Sequence, residues 1–312
     1  MQVAARALSP VRSFDYYVVR TAQYVQREST LRSHFVETRL GHAASGLEAM
    51  DLTSFMHGGP AKVVSCTLWG VMRRTEVRPS DYESDRYDAA LMRHLYPRYR
   101  QALTEKRKSI EPLLAPGAEV PEVGSHLGAF LETAQGWGWR PIGLDIGPDT
   151  SAFARRQGGT VRQTSLDDYY PVCRPDAIFF WNCFEQLSRP WEAMLRARSM
   201  LSPHGLVLLR VPNADFYRRQ AQWLRALSYN NLLGFPYLNG YHLPALKRLL
   251  TSSGFELVAS FATSLLMPPY PDSSAQVRGE WQQTRIDTEH CGAADSPWIE
   301  IVGRATSTLN II

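Results

Sequence analysis

The chain has 312 residues, 44% hydrophobic and 21% charged, a balance that suits a soluble globular protein of one large domain or two modest ones. A formal net charge of +4, with the arginines scattered, argues against a nucleic-acid partner. No apolar run approaches the roughly 18–20 residues of a membrane span. The four cysteines (Cys66, Cys173, Cys183, Cys291) form no C-x-x-C pair, so neither a disulfide scaffold nor a metal site is expected, and reduced thiols in a cytoplasmic protein are the reading.

Residues 1–14 carry arginines and no acid but lack the apolar core of a secretory signal. Short apolar segments at Tyr16–Val19 and Val63–Val71 predict strands, Glu28–Thr38 a helix, and Gly58-Gly59-Pro60 a turn. Together residues 1–95 read as a small α+β extension ahead of a larger domain over 96–312. From His94 to Leu114, Tyr99, Leu103, Ile110 and Leu114 recur at helical spacing with charges between them, and Pro112 and Pro116 mark the end.

The stretch Ala118–Ile146, AEVPEVGSHLGAFLETAQGWGWRPIGLDI, gives the larger domain its character. An apolar run at Val120–Val123 meets a turn holding Gly124 and Gly128. An amphipathic segment follows, then a second apolar run at Ile142–Ile146. Strand, glycine turn, helix and strand in that order begin a doubly wound α/β sheet, and such sheets bind nucleotide-like ligands at the carboxyl ends of their strands. Asp145 lies 21 residues beyond Gly124, the spacing at which an acid meets ribose hydroxyls. A dinucleotide site needs G-x-G-x-x-G so that the backbone can approach a pyrophosphate. Here His126 stands at the middle position and no third glycine follows, which disfavours a nicotinamide cofactor. Pro121 is unusual within a central strand because it cannot donate to a ladder.

Further along, Thr150–Gln157 predicts a short helix closed by Gly158-Gly159, and Thr160–Leu166 a third strand. Pro175–Asn182, PDAIFFWN, reads as a buried parallel strand. Trp191–Leu201 is an expected helix, Leu206–Val211 a strand, Leu243–Ser253 a helix stopped by Gly254, and Glu256–Thr263 and Trp298–Ala305 two last strands. With no helix between them, those two form an antiparallel pair at the edge of a mostly parallel seven-stranded sheet. Residues 215–239 are an insertion rich in aromatic and basic residues, readable as a lid over a ring-bearing or sugar acceptor or, over Phe216–Leu227, as a helix that joins a homodimer.

Four segments resemble the class I S-adenosylmethionine-dependent methyltransferase family. The glycine turn is similar to its E-x-G-x-G-x-G with the middle glycine replaced. DAIFFWNCFEQLSRPWEAM (176–194) is similar to its D-V-V-x-x-x-D-V-L-E-H-L-x-D-P, with Gln186 at the histidine. LSPHGLVLLRVPN (201–213) resembles L-x-P-G-G-x-L-x-x-x-x-P-N, with His204 at the first glycine. GYHLPALKRLLTSSGF (240–255) resembles H-x-x-x-x-L-x-x-L-L-x-x-x-G-F. The segment Ser65–Pro79 resembles a zinc-binding N-terminal module of bacterial members, but Trp69 replaces its second cysteine, so His57 and Cys66 would be what remains and a four-ligand site cannot be built.

The resemblance implies a Rossmann-like methyltransferase fold and S-adenosylmethionine as cofactor. It implies that Glu122, Gly124, Ser125, His126 and Gly128 hold the methionine end, that Asp145 and Ile146 meet the ribose, and that Ser165, Leu166 and Asp167 contact adenine. Asn182 and Phe184 would line the pocket beside the sulfonium. Methyl transfer is an in-line displacement, and alignment and desolvation supply most of the barrier reduction. A hydroxyl acceptor also needs a base, for which the candidates are His242, its neighbour Tyr241, and Glu185. The expected reaction is O-methylation of a small molecule or glycan. The alternative is a methyltransferase fold kept as a non-catalytic scaffold, suggested by Pro121, His126, Gln186 and His204.

Overall fold

The computed structural model describes residues 47–54, 59–66, 71–74, 88–216, 238–263 and 290–307, with isolated positions between 275 and 288. The expectations at Tyr16–Val19, at Glu28–Thr38, at His57 and over most of the 215–239 insertion fall outside those residues.

Strands β1 (Leu47–Ser54), β2 (Gly59–Cys66) and β3 (Met72–Arg74) make an antiparallel meander. Of the strand expected at Val63–Val71, residues 63–66 form the end of β2 and β3 begins only after Val71, while Gly59 and Pro60, expected in a turn, open β2. Helix α1 (Ala89–Thr104) and the one-turn α2 (Arg107–Ile110) replace the continuous helix expected over 94–114. The start signal lay further upstream, at Asp88, whose carboxylate accepts from the Ala90 and Leu91 amides at 2.8 and 2.9 Å. The break at Lys106 has a cause in the sheet below, because its ammonium turns down to the Glu300 carboxylate at 2.8 Å.

The main sheet contains β4 (Glu119–Val123), β5 (Arg140–Leu144), β6 (Val161–Arg162), β7 (Ala177–Trp181), β8 (Leu206–Pro212), β10 (Phe255–Thr263) and β11 (Trp298–Ala305). Their order is β10-β11-β8-β7-β4-β5-β6, parallel except for β11, which runs against both neighbours. The antiparallel late pair and the mostly parallel seven-stranded sheet follow the expectation. β6 is shorter than expected, because the chain then turns on Ser165, whose hydroxyl donates to Asp168 at 2.7 Å. Pro121 sits opposite Ile142 of β5, and the β4–β7 ladder begins only at Glu122, which accommodates the missing N–H.

Side-chain alternation divides the core. On one face Val120, Phe179, Trp181, Leu208 and Val302 pack against α3 (Ala129–Gly136) and Ile110. Phe130 of α3 lies 4.8 Å from Phe179 and 5.6 Å from Trp181, ring centre to ring centre. On the other face Ile178, Phe180, Leu209 and Ile301 pack against α5 (Pro190–Met200) and α6 (Leu243–Ser252). Every residue of β7 is buried, as a strand covered on both faces requires. α4 (Pro148–Arg156) joins the first face through Phe153, which meets Tyr96 of α1 edge-on.

The strand order reverses between β4 and β7, and it is at such a switch, beyond the carboxyl ends, that open α/β sheets form a ligand crevice. The meander comes back to this place. β9 (Asn239–Gly240), at the far end of the insertion, pairs with β3 through Met72 and Arg73. The Leu238 amide donates to the Glu185 carbonyl at 3.0 Å, and the Asn239 side chain donates to the Leu187 carbonyl at 2.8 Å. The N-terminal sheet is thereby tied to the loop that follows β7.

Candidate active site

The first lip of the crevice is the glycine turn. The Gly124 and Ser125 amides donate to the Leu144 carbonyl at 2.8 and 3.2 Å. Gly124 has φ +68°, and a Cβ there would lie 2.7 Å from that of Cys183, so the turn tolerates only glycine. Gly128 has φ +76° and a Cβ would meet that of Ala154 at 2.8 Å. His126 adopts the same left-handed region with φ +48°, and its ring meets Tyr99 of α1 edge-on at 5.8 Å. The ring thus packs against the helix covering the turn. Burial lowers its pKa to about 4, which makes it a neutral imidazole at pH 7.

Asp145 closes the turn from β5. One oxygen accepts from the His126 amide at 2.6 Å, and the other accepts from the Gly147 amide at 2.8 Å and the Thr150 hydroxyl at 2.9 Å. Burial raises its pKa, and those three donors work in the opposite direction. A carboxylate offers about four lone-pair sites. Three are taken here, so Asp145 first shapes the turn and the start of α4, and has one site left on the oxygen bound to His126. Ile146 follows it, half-buried, at the crevice end of β5.

Glu122 and Ser125 are the polar groups left over. Both are buried, and neither Glu122 Oε2 nor Ser125 Oγ has a hydrogen-bond partner. Burial, with the nearby charge of Asp145, pushes the Glu122 carboxyl well above the usual range. A buried orphan of this kind costs about 1–3 kcal/mol, and a bound cation beside it would remove that cost. The Cys183 thiol donates to the Val123 carbonyl at 2.9 Å and is pushed well up, mainly by burial and then by the charges of Glu185, Glu122 and Asp145. These groups therefore share one small volume.

The second lip follows β7. Asn182 has φ +54°, a conformation Asn tolerates better than most residues. Its side-chain oxygen accepts from Arg210 Nη1 at 2.6 Å, and its backbone carbonyl accepts from Gln186 at 2.9 Å. Phe184, expected beside the sulfonium, is fully buried between Phe180 and Tyr241, so it forms the floor under this lip. Glu185 is fully buried with both oxygens lacking a hydrogen bond, and burial pushes it up to about 8, only partly offset by its own amide, Arg210 and Gln186.

The remaining expected residues divide. Ser165 and Asp168 hold each other, Leu166 is in the core, and Asp167 pairs with Arg189 at 3.4 Å. Tyr241 is buried, with its carbonyl accepting the Ala214 amide at 2.7 Å. His242 is the N-cap of α6, with Nδ1 accepting from the Ala245 amide at 3.1 Å. The base role expected of His242 would compete with this cap. An accepting Nδ1 fixes the tautomer with hydrogen on Nε2, and serving as a base would cost the helix its cap.

The sequence reading missed a charged network. Arg210 on β8 and Glu300 on β11 are cross-strand partners, both buried and 3.2 Å apart. Lys106 reaches the same carboxylate, and the Arg210 guanidinium lies 4.7 Å over the Trp298 ring. One charge of each sign inside the apolar runs LVLLRVP and WIEIVG was the available signal.

This crevice has a close backbone turn, a buried carboxyl with one unpartnered oxygen and an acid at the ribose-spaced position. Glu122 and Ser125 fit the zwitterionic end of S-adenosylmethionine, and Asp145 can take one ribose hydroxyl. The group itself would supply an electrophilic methyl. Among the described residues no cluster suited to a metal ion occurs.

Comparison with known proteins agrees. A family profile described as a methyltransferase domain matches residues 92–260. Among solved structures, a chain of the Haloferax volcanii complex between the Trm112 methyltransferase activator and a methyltransferase has TM-score 0.52 at 15% identity, over 70% of this chain and 95% of that one. An Archaeoglobus fulgidus SAM-dependent methyltransferase has TM-score 0.49 at 18% identity, over 70% and 100%. No curated protein matches. The profile spans more than half of the sequence, from α1 through the glycine turn to β10, and the chain belongs to the methyltransferase domain family, whose methyl donor is S-adenosylmethionine.

Proposed function

We propose that this methyltransferase moves a methyl group from S-adenosylmethionine to an oxygen of a small-molecule or glycan acceptor. The acceptor would enter between the catalytic domain (96–312), the N-terminal module (1–95) and the 215–239 insertion. The observation that carries the reading is Glu122, a buried carboxylate with an unpartnered oxygen beside a turn that only glycine can make. The β3–β9 pairing supports an acceptor side built partly from the N-terminal module. The reaction needs alignment and water exclusion from the protein, and the cover of α1 over the turn suits both. The described cysteines are free thiols, and no described helix is long and apolar enough to cross a membrane, which fits the proposed cytoplasmic setting.

Calorimetric titration with S-adenosylhomocysteine tests this. Glu122 must lose its proton to pair with the ammonium, so binding should release a proton and strengthen as pH rises. Glu122→Gln should bind about tenfold more weakly and release none. Absence of binding to the wild-type protein would favour the scaffold reading, which finds its support in the use of three of the four sites of Asp145 within the turn.

A further inference from the structure

Arg210 decides which way the Asn182 amide faces. A guanidinium has only donors, so the atom 2.6 Å from Nη1 must be the amide oxygen, because a flipped amide would set donor against donor. The left-handed backbone of Asn182 and the bond from Gln186 to its carbonyl fix the residue further. Arg210 is itself held by Glu300 and lies over Trp298, both buried, so the arrangement is preorganised. What Asn182 has left is its NH2 group. The residue is half-buried at the end of β7, one position before Cys183, which packs on Gly124. It therefore stands on the lip facing the glycine turn, where the strand order reverses.

A donor at that point treats acceptors differently. A neutral amine nucleophile needs its N–H groups accepted so that its lone pair points at the methyl carbon. An anionic oxygen needs the reverse, a donor that aligns it without removing all its lone pairs. Directly behind Asn182, Lys106 and Arg210 bring two cations to the single acid Glu300. Among the described residues, the expected base His242 is committed to its cap. An acceptor already ionised at neutral pH needs none.

We propose that Asn182, held by Arg210, makes this enzyme selective for an anionic oxygen acceptor, a carboxylate in its simplest form, and selects against amines. The inference rests on the methyltransferase reading above. In the transfer, a lone pair of the carboxylate oxygen forms the new C–O bond as the S–CH3 bond breaks, and that bonding pair stays on sulfur. A methyl ester and a neutral thioether result, and no proton has to leave.

The test uses the full chain saturated with S-adenosylhomocysteine, whose own binding is measured first. If it does not bind, the methyltransferase reading fails. If it does, benzoate and 3-phenylpropanoate are titrated against benzylamine and 3-phenylpropylamine on wild type and Asn182→Asp. The substitution keeps the oxygen that Arg210 needs, so the fold is retained, but turns an acceptor toward the crevice. Wild type should bind the carboxylates at least about tenfold more tightly than the amines, and Asn182→Asp should reverse that order. Amine preference in wild type, carboxylate binding indifferent to the substitution, or no carboxylate binding to the loaded protein would each overturn the proposal. Melting temperatures of both proteins identify any variant that fails to fold.

Discussion

On the glycine-turn side of the crevice, Glu122 Oε2 and Ser125 Oγ are buried with no partner. On the opposite side, Lys106, Glu300, Arg210 and Asn182 are linked in a chain of ion pairs and a hydrogen bond. Both sides take polar groups out of water, but the four groups linked on the second are paired within the protein, whereas Glu122 and Ser125 on the first are not. The first keeps a cost that a cationic ligand removes, which makes it a binding surface. The second is finished before any ligand arrives, which makes it a rigid support that fixes the direction of one amide. Donor binding and acceptor choice thus rest on different physics, unmet desolvation in one case and preorganisation in the other.

The largest effect that would break this contrast is on the turn. Gly124→Val places a side chain where the Cys183 Cβ lies 2.7 Å away, in a backbone region that costs non-glycine residues about 1–2 kcal/mol. S-adenosylhomocysteine binding should fall by about a hundredfold or more in calorimetry, with a lower melting temperature. Asp145→Ala comes next. Three donors lose their acceptor together, and denaturant unfolding should show a loss of about 3 kcal/mol or more, against less for Asp145→Asn, which keeps one oxygen.

Smaller effects sharpen the comparison through pH. Glu185 is pushed up to about 8 from an ordinary 4.5. Between those values the folded chain holds a proton that the unfolded chain has lost, so this group's contribution to stability falls as pH rises through that window. His126, brought down to about 4 from 6.5, acts in the other direction, its contribution being lost as pH falls from 6.5 toward 4. Glu185→Gln should therefore flatten the alkaline limb, gaining about a few kcal/mol at pH 8 and little at pH 4.5 in thermal unfolding. The smallest effect is at His242. His242→Ala should cost about 1 kcal/mol through the lost cap, and His242→Asn should restore most of it, whereas a base would be replaced by neither.

Much of the sheet could be read along the chain. β11 was placed to the residue, and β7 and β8 to within one or two, because buried strands are apolar runs with sharp ends. Helix α1 was legible in kind but not in extent, since its cap at Asp88 and its break at Lys106 answer to local hydrogen bonds and to a distant carboxylate. The glycine turn and Asp145 were legible through spacing. His126 was ambiguous as a letter, and only its contact with Tyr99 shows the ring packed against α1.

What the sequence determined by itself is the order of strands and helices, the family and the glycine turn, because periodicity and backbone demands are local. What only the tertiary structure decided is the state of each polar group. That Asp145 is nearly saturated, that Glu185 is sealed, and that Arg210 holds the Asn182 amide oxygen all depend on residues far apart in the chain. Hydrogen-bond capacity is finite and directional, so a side chain's chemistry is set by which of its atoms the fold has already used.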